Sequence, residues 1–140
     1  MTGAAVDGAA PRWRTRAQHR AAVSAGGVDP ALLAGRWIDS DPAGRSLARL
    51  EIAVAGAGLA VEGWAAGEPG PIGRAAAAVY AASPAGGGAL AFVARLELPA
   101  SELLLAAYGK SGILVVDSYH RFGAGDRRAP FTVRQFFRRG

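Results

Sequence analysis

The chain has 140 residues and no cysteine, which bounds it to one small domain and excludes disulfides and thiolate metal sites. Two histidines, His19 and His120, exclude a multi-histidine metal centre, and 20 Gly with 33 Ala make the 51% hydrophobic fraction largely one of small residues. The formal charge of +5 sits at the ends: residues 1–28 carry net +3, 29–120 net −3 and 121–140 net +5, so a basic protein with an acidic middle is expected rather than a uniformly nucleic-acid-coating one.

Residues 1–28 read as a basic arm. Residues 1–10 have nothing to bury and are expected to be disordered. Pro11–Ser24 reads as a short helix stopped by Gly26-Gly27, with Trp13, Ala17 and Ala21 on one face and Arg12, Arg16 and Arg20 beside it. No apolar run reaches transmembrane length and no secretory leader is visible, so a cytoplasmic location is the default expectation.

Residues 29–140 read as the folded domain. Asp29-Pro30 and the following Ala31-Leu32-Leu33 suggest one helical turn leading into a first strand, Gly35–Asp39. Leu50, Ile52 and Val54 alternate with Arg49, Glu51 and Ala53, which is a half-buried strand. Ala55–Gly58 is a hairpin, Leu59–Trp64 the return strand, and Gly67–Gly73 a loop. Arg74–Ser83 is taken as a fourth strand, although four consecutive alanines also permit helix. Leu90–Glu97 alternates cleanly and gives the fifth. Glu102–Tyr108 is a strand or a short helix capped by Ser101. Hairpins at Gly109–Gly112 and Gly123–Asp126 flank a seventh strand, Ile113–Phe122, and Phe131–Arg138 is the last. Eight short strands joined mostly by hairpins predict an all-β, eight-stranded antiparallel up-and-down barrel preceded by a helical or disordered arm.

Gly35-Arg36-Trp37, at the start of the first strand and just after a helical turn, resembles the Gly-x-Trp opening of the calycins, the lipocalin and avidin barrels. Residues Leu33–Asp39 are similar to the avidin opening, with Asp39 where avidins carry a ligand-binding asparagine. The pattern from Trp37 to Arg45, the later Trp64 and the ending Phe131–Phe137 resemble a family of small bacterial β-barrel proteins. The resemblance implies that Gly35 and Trp37 close one barrel end, with a last-strand arginine stacked on the indole. Arg134 is the first candidate for that arginine and Arg138 the second. The aromatic cage of avidins is not evident, so biotin is not implied.

No nucleophile elbow, zinc-protease motif or phosphate-binding loop is present, so neither a metal nor a cofactor is expected. The seventh strand carries the most information. One face reads Ile113, Val115, Asp117, Tyr119, Arg121 and the other Leu114, Val116, Ser118, His120, Phe122. Asp117 and Tyr119, if they point inward, form a polar pair in an apolar lumen that can bind a carbonyl or act as acid and base; otherwise Asp117 faces solvent. Trp64, Tyr80 and Tyr108 are further candidate wall residues, and His120 falls on the opposite face, at the surface or an interface. The leading expectation is a barrel binding a small, mainly apolar molecule in its lumen. The alternatives are a cofactor-free cyclase or isomerase of a polyketide-like substrate, with Asp117, Tyr119 and Arg134 as its catalytic residues, and an interaction or nucleic-acid module using the Arg-rich ends. No membrane partner is expected. Phe136-Phe137 puts aromatics on both faces of one strand, so the outer ring marks either a homodimer contact or the site of a covering arm.

Overall fold

The computed structural model describes residues 27–41, 43 and 46–140, so the expected helix Pro11–Ser24 lies outside the described residues. In chain order the elements are β1 (Val28–Asp29), a 3-10 turn (Pro30–Leu33), β2 (Gly35–Asp39), β3 (Arg49–Ala55), β4 (Gly58–Trp64) and β5 (Gly73–Tyr80). They continue with β6 (Gly87–Gly88), β7 (Ala91–Glu97), β8 (Ser101–Lys110), β9 (Ile113–Phe122) and β10 (Phe131–Arg139). Eight of these strands close into an antiparallel barrel, β2-β3-β4-β5-β7-β8-β9-β10, with β10 returning to β2. Among the described residues no helix is long and apolar enough to cross a membrane.

The alternation written in the sequence decides these strands. Leu103, Leu105 and Ala107 face inward on β8 while Leu104, Ala106 and Tyr108 face outward, which is strand periodicity. The helical alternative for Glu102–Tyr108 is thereby excluded, and the strand runs longer, from Ser101 to Lys110. The alanine run is also strand: Ala75 and Ala77 face the lumen, held in register between β4 and β7. The expected fourth strand ends at Tyr80 instead of Ser83, because the chain leaves the barrel wall after Tyr80 and rejoins it at Leu90, whose N–H donates to Tyr80 O at 2.7 Å. Within that excursion β6 pairs in parallel with β1, Val28 opposite Gly87 and Asp29 opposite Gly88.

The inward side chains form one continuous cluster. Phe92, Leu96, Leu103, Leu105, Leu114 and Phe137 are among those with almost no exposure. Eight strands enclose an interior just wide enough for side chains to fill, and here they fill it. Both ends are stoppered. The 3-10 turn caps one end, its start fixed by the Asp29 carboxylate accepting from Ala31 N at 3.0 Å, and inserts the buried Leu33. At the other end the β2–β3 connection lays the buried Leu47 over the core. Gly63 and Gly73 lie opposite each other there, and a Cβ on Gly63 would come 3.1 Å from a Leu47 methyl, one on Gly73 3.0 Å from Leu98. Gly63 therefore leaves the space that admits this plug, and Gly73 leaves space for Leu98 and Leu96 beside it. Ser118 also points into the core, and its hydroxyl has no hydrogen-bond partner among the described residues.

Candidate functional site

The pair Asp117 and Tyr119 points outward, not into the lumen. On β9 the inward residues are Leu114, Val116 and Ser118, all without exposure, so strict alternation sends 117 and 119 to the outer wall. Tyr80 and Tyr108 are outward for the same reason, and Trp64 lies outward of the buried Gly63, its ring covered by the Arg49 guanidinium 4.0 Å from the centroid. None of these five residues lines a luminal chamber.

Asp117 sits opposite Arg134 across β9 and β10 and takes both hydrogen bonds of its fork, Nε to Oδ1 at 2.7 Å and Nη2 to Oδ2 at 3.0 Å. The bonded guanidinium holds the Asp117 carboxyl below its ordinary value of 3.8. A carboxylate so held is a weak base, and it is no proton donor near neutrality. The arginine stacked on Trp37 is Arg139, not Arg134 or Arg138. Its guanidinium lies 4.0 Å from the indole centroid, and its N–H groups donate to Ala34 O and, at 2.6 Å, to Leu32 O. Parity again gives the reason: Phe137 is buried in the core, so 135 and 139 share its side and 134, 136 and 138 face out. Gly35 has φ +127°, and a Cβ there would meet the Arg139 guanidinium at 2.6 Å, which accounts physically for glycine two residues before the tryptophan. Asp39 is occupied as well, accepting from Gln135 Nε2 and from Asp41 N.

What the structure does assemble is a groove on the outer wall, about 640 Å³, near the mouth stoppered by Leu47. Leu104, Tyr119 and Phe131 supply its apolar surface; Arg95, Glu102 and Arg121 supply its charges. Register brings them together: Leu104 is opposite Tyr119, Tyr119 opposite Thr132, and Glu102 opposite Arg121. Glu102 also binds Arg95 at 3.0 Å. At the edge of the groove His120 stacks on Phe131, centroids 4.3 Å apart and planes parallel, and meets the Ser46 hydroxyl with Nε2 at 3.0 Å. His120 is therefore a rim residue on the inward side of β9.

Burial pushes the His120 imidazole below its ordinary 6.5. The folded state then favours the neutral ring, so below that value the unfolded chain binds more protons. Stability is fully present above 6.5 and falls as pH drops toward the lower folded value. Urea midpoints are expected to decline from about pH 7 to pH 5, and His120→Phe, which keeps the stack on Phe131, should flatten the decline. An equal slope in both proteins would assign it to other groups.

Sequence reasoning missed Phe131, Arg95, Glu102, Leu104 and Arg121 because only strand register makes them neighbours. Of the six arginines in residues 121–140, Arg134 and Arg128 are paired with Asp117 and Asp126, and Arg139 is bonded to the barrel end, so part of that charge is engaged within the fold. Compared with protein families, with curated proteins and with solved structures, the chain matches none.

Proposed function

We propose that this chain is a small-molecule-binding barrel of calycin type whose ligand lies in the outer groove rather than in the packed lumen. The observation that carries the reading is the groove itself: about 640 Å³, within the range of small-molecule sites, with an aromatic and aliphatic floor and a few convergent charges. Phe131 and Tyr119 suit a flat apolar body. Arg121 suits an acidic group on it, because Glu102 is already bonded to Arg95. The ligand class is an aromatic or polycyclic molecule bearing one anionic substituent.

The probe 8-anilinonaphthalene-1-sulfonate has that chemistry. It is expected to bind at one saturable site per chain, with Kd raised about tenfold by Phe131→Ala, the worth of one lost aromatic contact. Arg121→Glu should weaken it at least as much, and Tyr108→Glu, outside the groove, should leave it unchanged. Equal binding by all four proteins, or no saturable binding, would remove the groove as the site.

A further inference from the structure

The outer wall of the barrel is divided. Across β2 to β5 it carries a charged row, Arg36 opposite Glu51, Glu51 opposite Glu62, and Glu62 opposite Arg74, closed by ion pairs Arg36–Glu51 at 2.7 Å and Arg74–Glu62 at 2.8 Å. Across β5 to β10 its half toward the 3-10 cap is mainly apolar, while the groove's Arg95, Glu102 and Arg121 lie toward the opposite end. Tyr80, Ala91, Tyr108, Val115 and Phe136 follow one another in register over five adjacent strands. The next row reads Ala78, Val93, Ala106, Asp117 and Arg134. Tyr80, Val93, Tyr108, Ile113, Tyr119 and Phe136 are each 38% to 52% exposed. Half-exposed rings and branched chains of this size leave roughly 500 Å² in one patch, toward the upper end of what a monomer shows. Val115 projects outward yet is only 5% exposed, between Tyr108 and Phe136. The rings already form a continuous layer.

We propose that this face, β5-β7-β8-β9-β10, is the contact between two copies of this chain. Three observations select that occupant. A barrel set in lipid needs an apolar band all the way round, and the Arg36-to-Arg74 row interrupts it. An anionic surface or nucleic acid needs unpaired positive charge, and the one arginine at the centre of the face, Arg134, is neutralised in plane by Asp117. Closure of the barrel leaves its wall no free edge, so association through the barrel wall uses a face. A neutral, apolar face is complementary to itself under a two-fold axis. With its alanines and the stems of Arg134 and Arg138, the patch reaches the roughly 800 Å² per partner of a stable interface. The face borders the groove and shares Tyr119 with it, but Tyr80, Tyr108 and Phe136 do not line the groove, so substitutions there test the contact separately.

The test is sedimentation of the full chain with two variants, Tyr108→Glu and Phe136→Glu. A 14.2 kDa chain should sediment as a dimer. Each glutamate enters the interface twice and brings like charges together, so each should raise the dimer dissociation constant at least about 100-fold. Both side chains are outward and half exposed, and an unchanged far-UV dichroism spectrum should report an intact barrel. Glu62→Gln, on the charged half, should leave the dimer unchanged. A wild-type chain that stays monomeric to about 100 µM, where interfaces of this size associate, overturns the proposal and gives the face to a different partner or to residues 1–26. A dimer that survives both glutamates overturns it too, by placing the contact elsewhere.

Discussion

Trp37→Ala is expected to cost about 4 kcal/mol of folding free energy, in the range for a large aromatic removed from a core. Against a stability of roughly 5–15 kcal/mol for a domain of this kind, that leaves a marginal protein. The indole is 3% exposed and donates its N–H to Leu33 O at 3.0 Å, which ties the 3-10 cap to the barrel. Arg139 lies on its outer side and holds Ala34 and Leu32. This cluster sits on the weakest seam. β10 meets β2 in register only over Phe137–Arg139, whereas it meets β9 over Phe131–Arg138. Alanine would remove the cation's ring and the cap's anchor together with the buried area. Trp37→Phe separates the parts, since it keeps a ring under Arg139 and loses the N–H; about 1–2 kcal/mol is expected. Arg139→Lys keeps the charge and loses the fork that reaches two carbonyls, with a cost of similar size. Urea unfolding followed by far-UV dichroism measures all three. A loss below about 2 kcal/mol for Trp37→Ala would show that the seam is closed by something other than this stack.

The barrel was legible because its signal is local. Leu50 and Ile52, or Phe92, Ala94 and Leu96, announce an inner face by alternation alone, and these residues are buried. The strand Ile113–Phe122 was located correctly from the same kind of pattern, yet its faces could not be told apart. Ile113, Val115 and Leu114, Val116 are apolar on both sides, so alternation does not say which side is in. The structure supplies the reason. Val115 is outward but sheltered by Tyr108 and Phe136, and the apolar outer patch imitates a second core face. The pattern therefore leaves Asp117 and Tyr119 open to either side, lumen or solvent. The last strand repeats the difficulty. Arg134, Arg138 and Arg139 are chemically equivalent, and only the buried Phe137 beside them fixes which one reaches Trp37. The β1–β6 pairing has two residues a side, too few for any periodicity. Gln135 is invisible for a different reason: its partners are the Leu47 backbone and the Asp39 carboxylate, 88 and 96 residues away in sequence.

Gln135→Leu is the second large effect, expected at about 3 kcal/mol, and it tests polar contacts with little change of volume. Gln135 is 5% exposed on the inward side of β10. Its Nε2 donates to Leu47 O at 2.7 Å and to Asp39 Oδ2 at 2.8 Å, and its Oε1 accepts from Leu47 N at 3.3 Å. One amide therefore satisfies both backbone groups of the residue that stoppers the mouth, and donor and acceptor cannot be exchanged. Leucine would leave the Leu47 N–H and C=O buried without partners, each at about 1–3 kcal/mol. The same connection carries Ser46 to His120, so its release should relieve the burial that depresses the imidazole. The His120 pKa is then expected to rise toward 6.5, and exchange of the Leu47 amide should accelerate. Gln135→Glu would do worse than leucine at neutral pH, because it sets a second carboxylate beside Asp39. The alternative anchor is packing, Leu47 held in the space left by Gly63. Should that dominate, Gln135→Leu would lose less than about 1 kcal/mol and leave the His120 titration where it was. Stability and the imidazole titration moving together would mean that the amide holds the mouth shut.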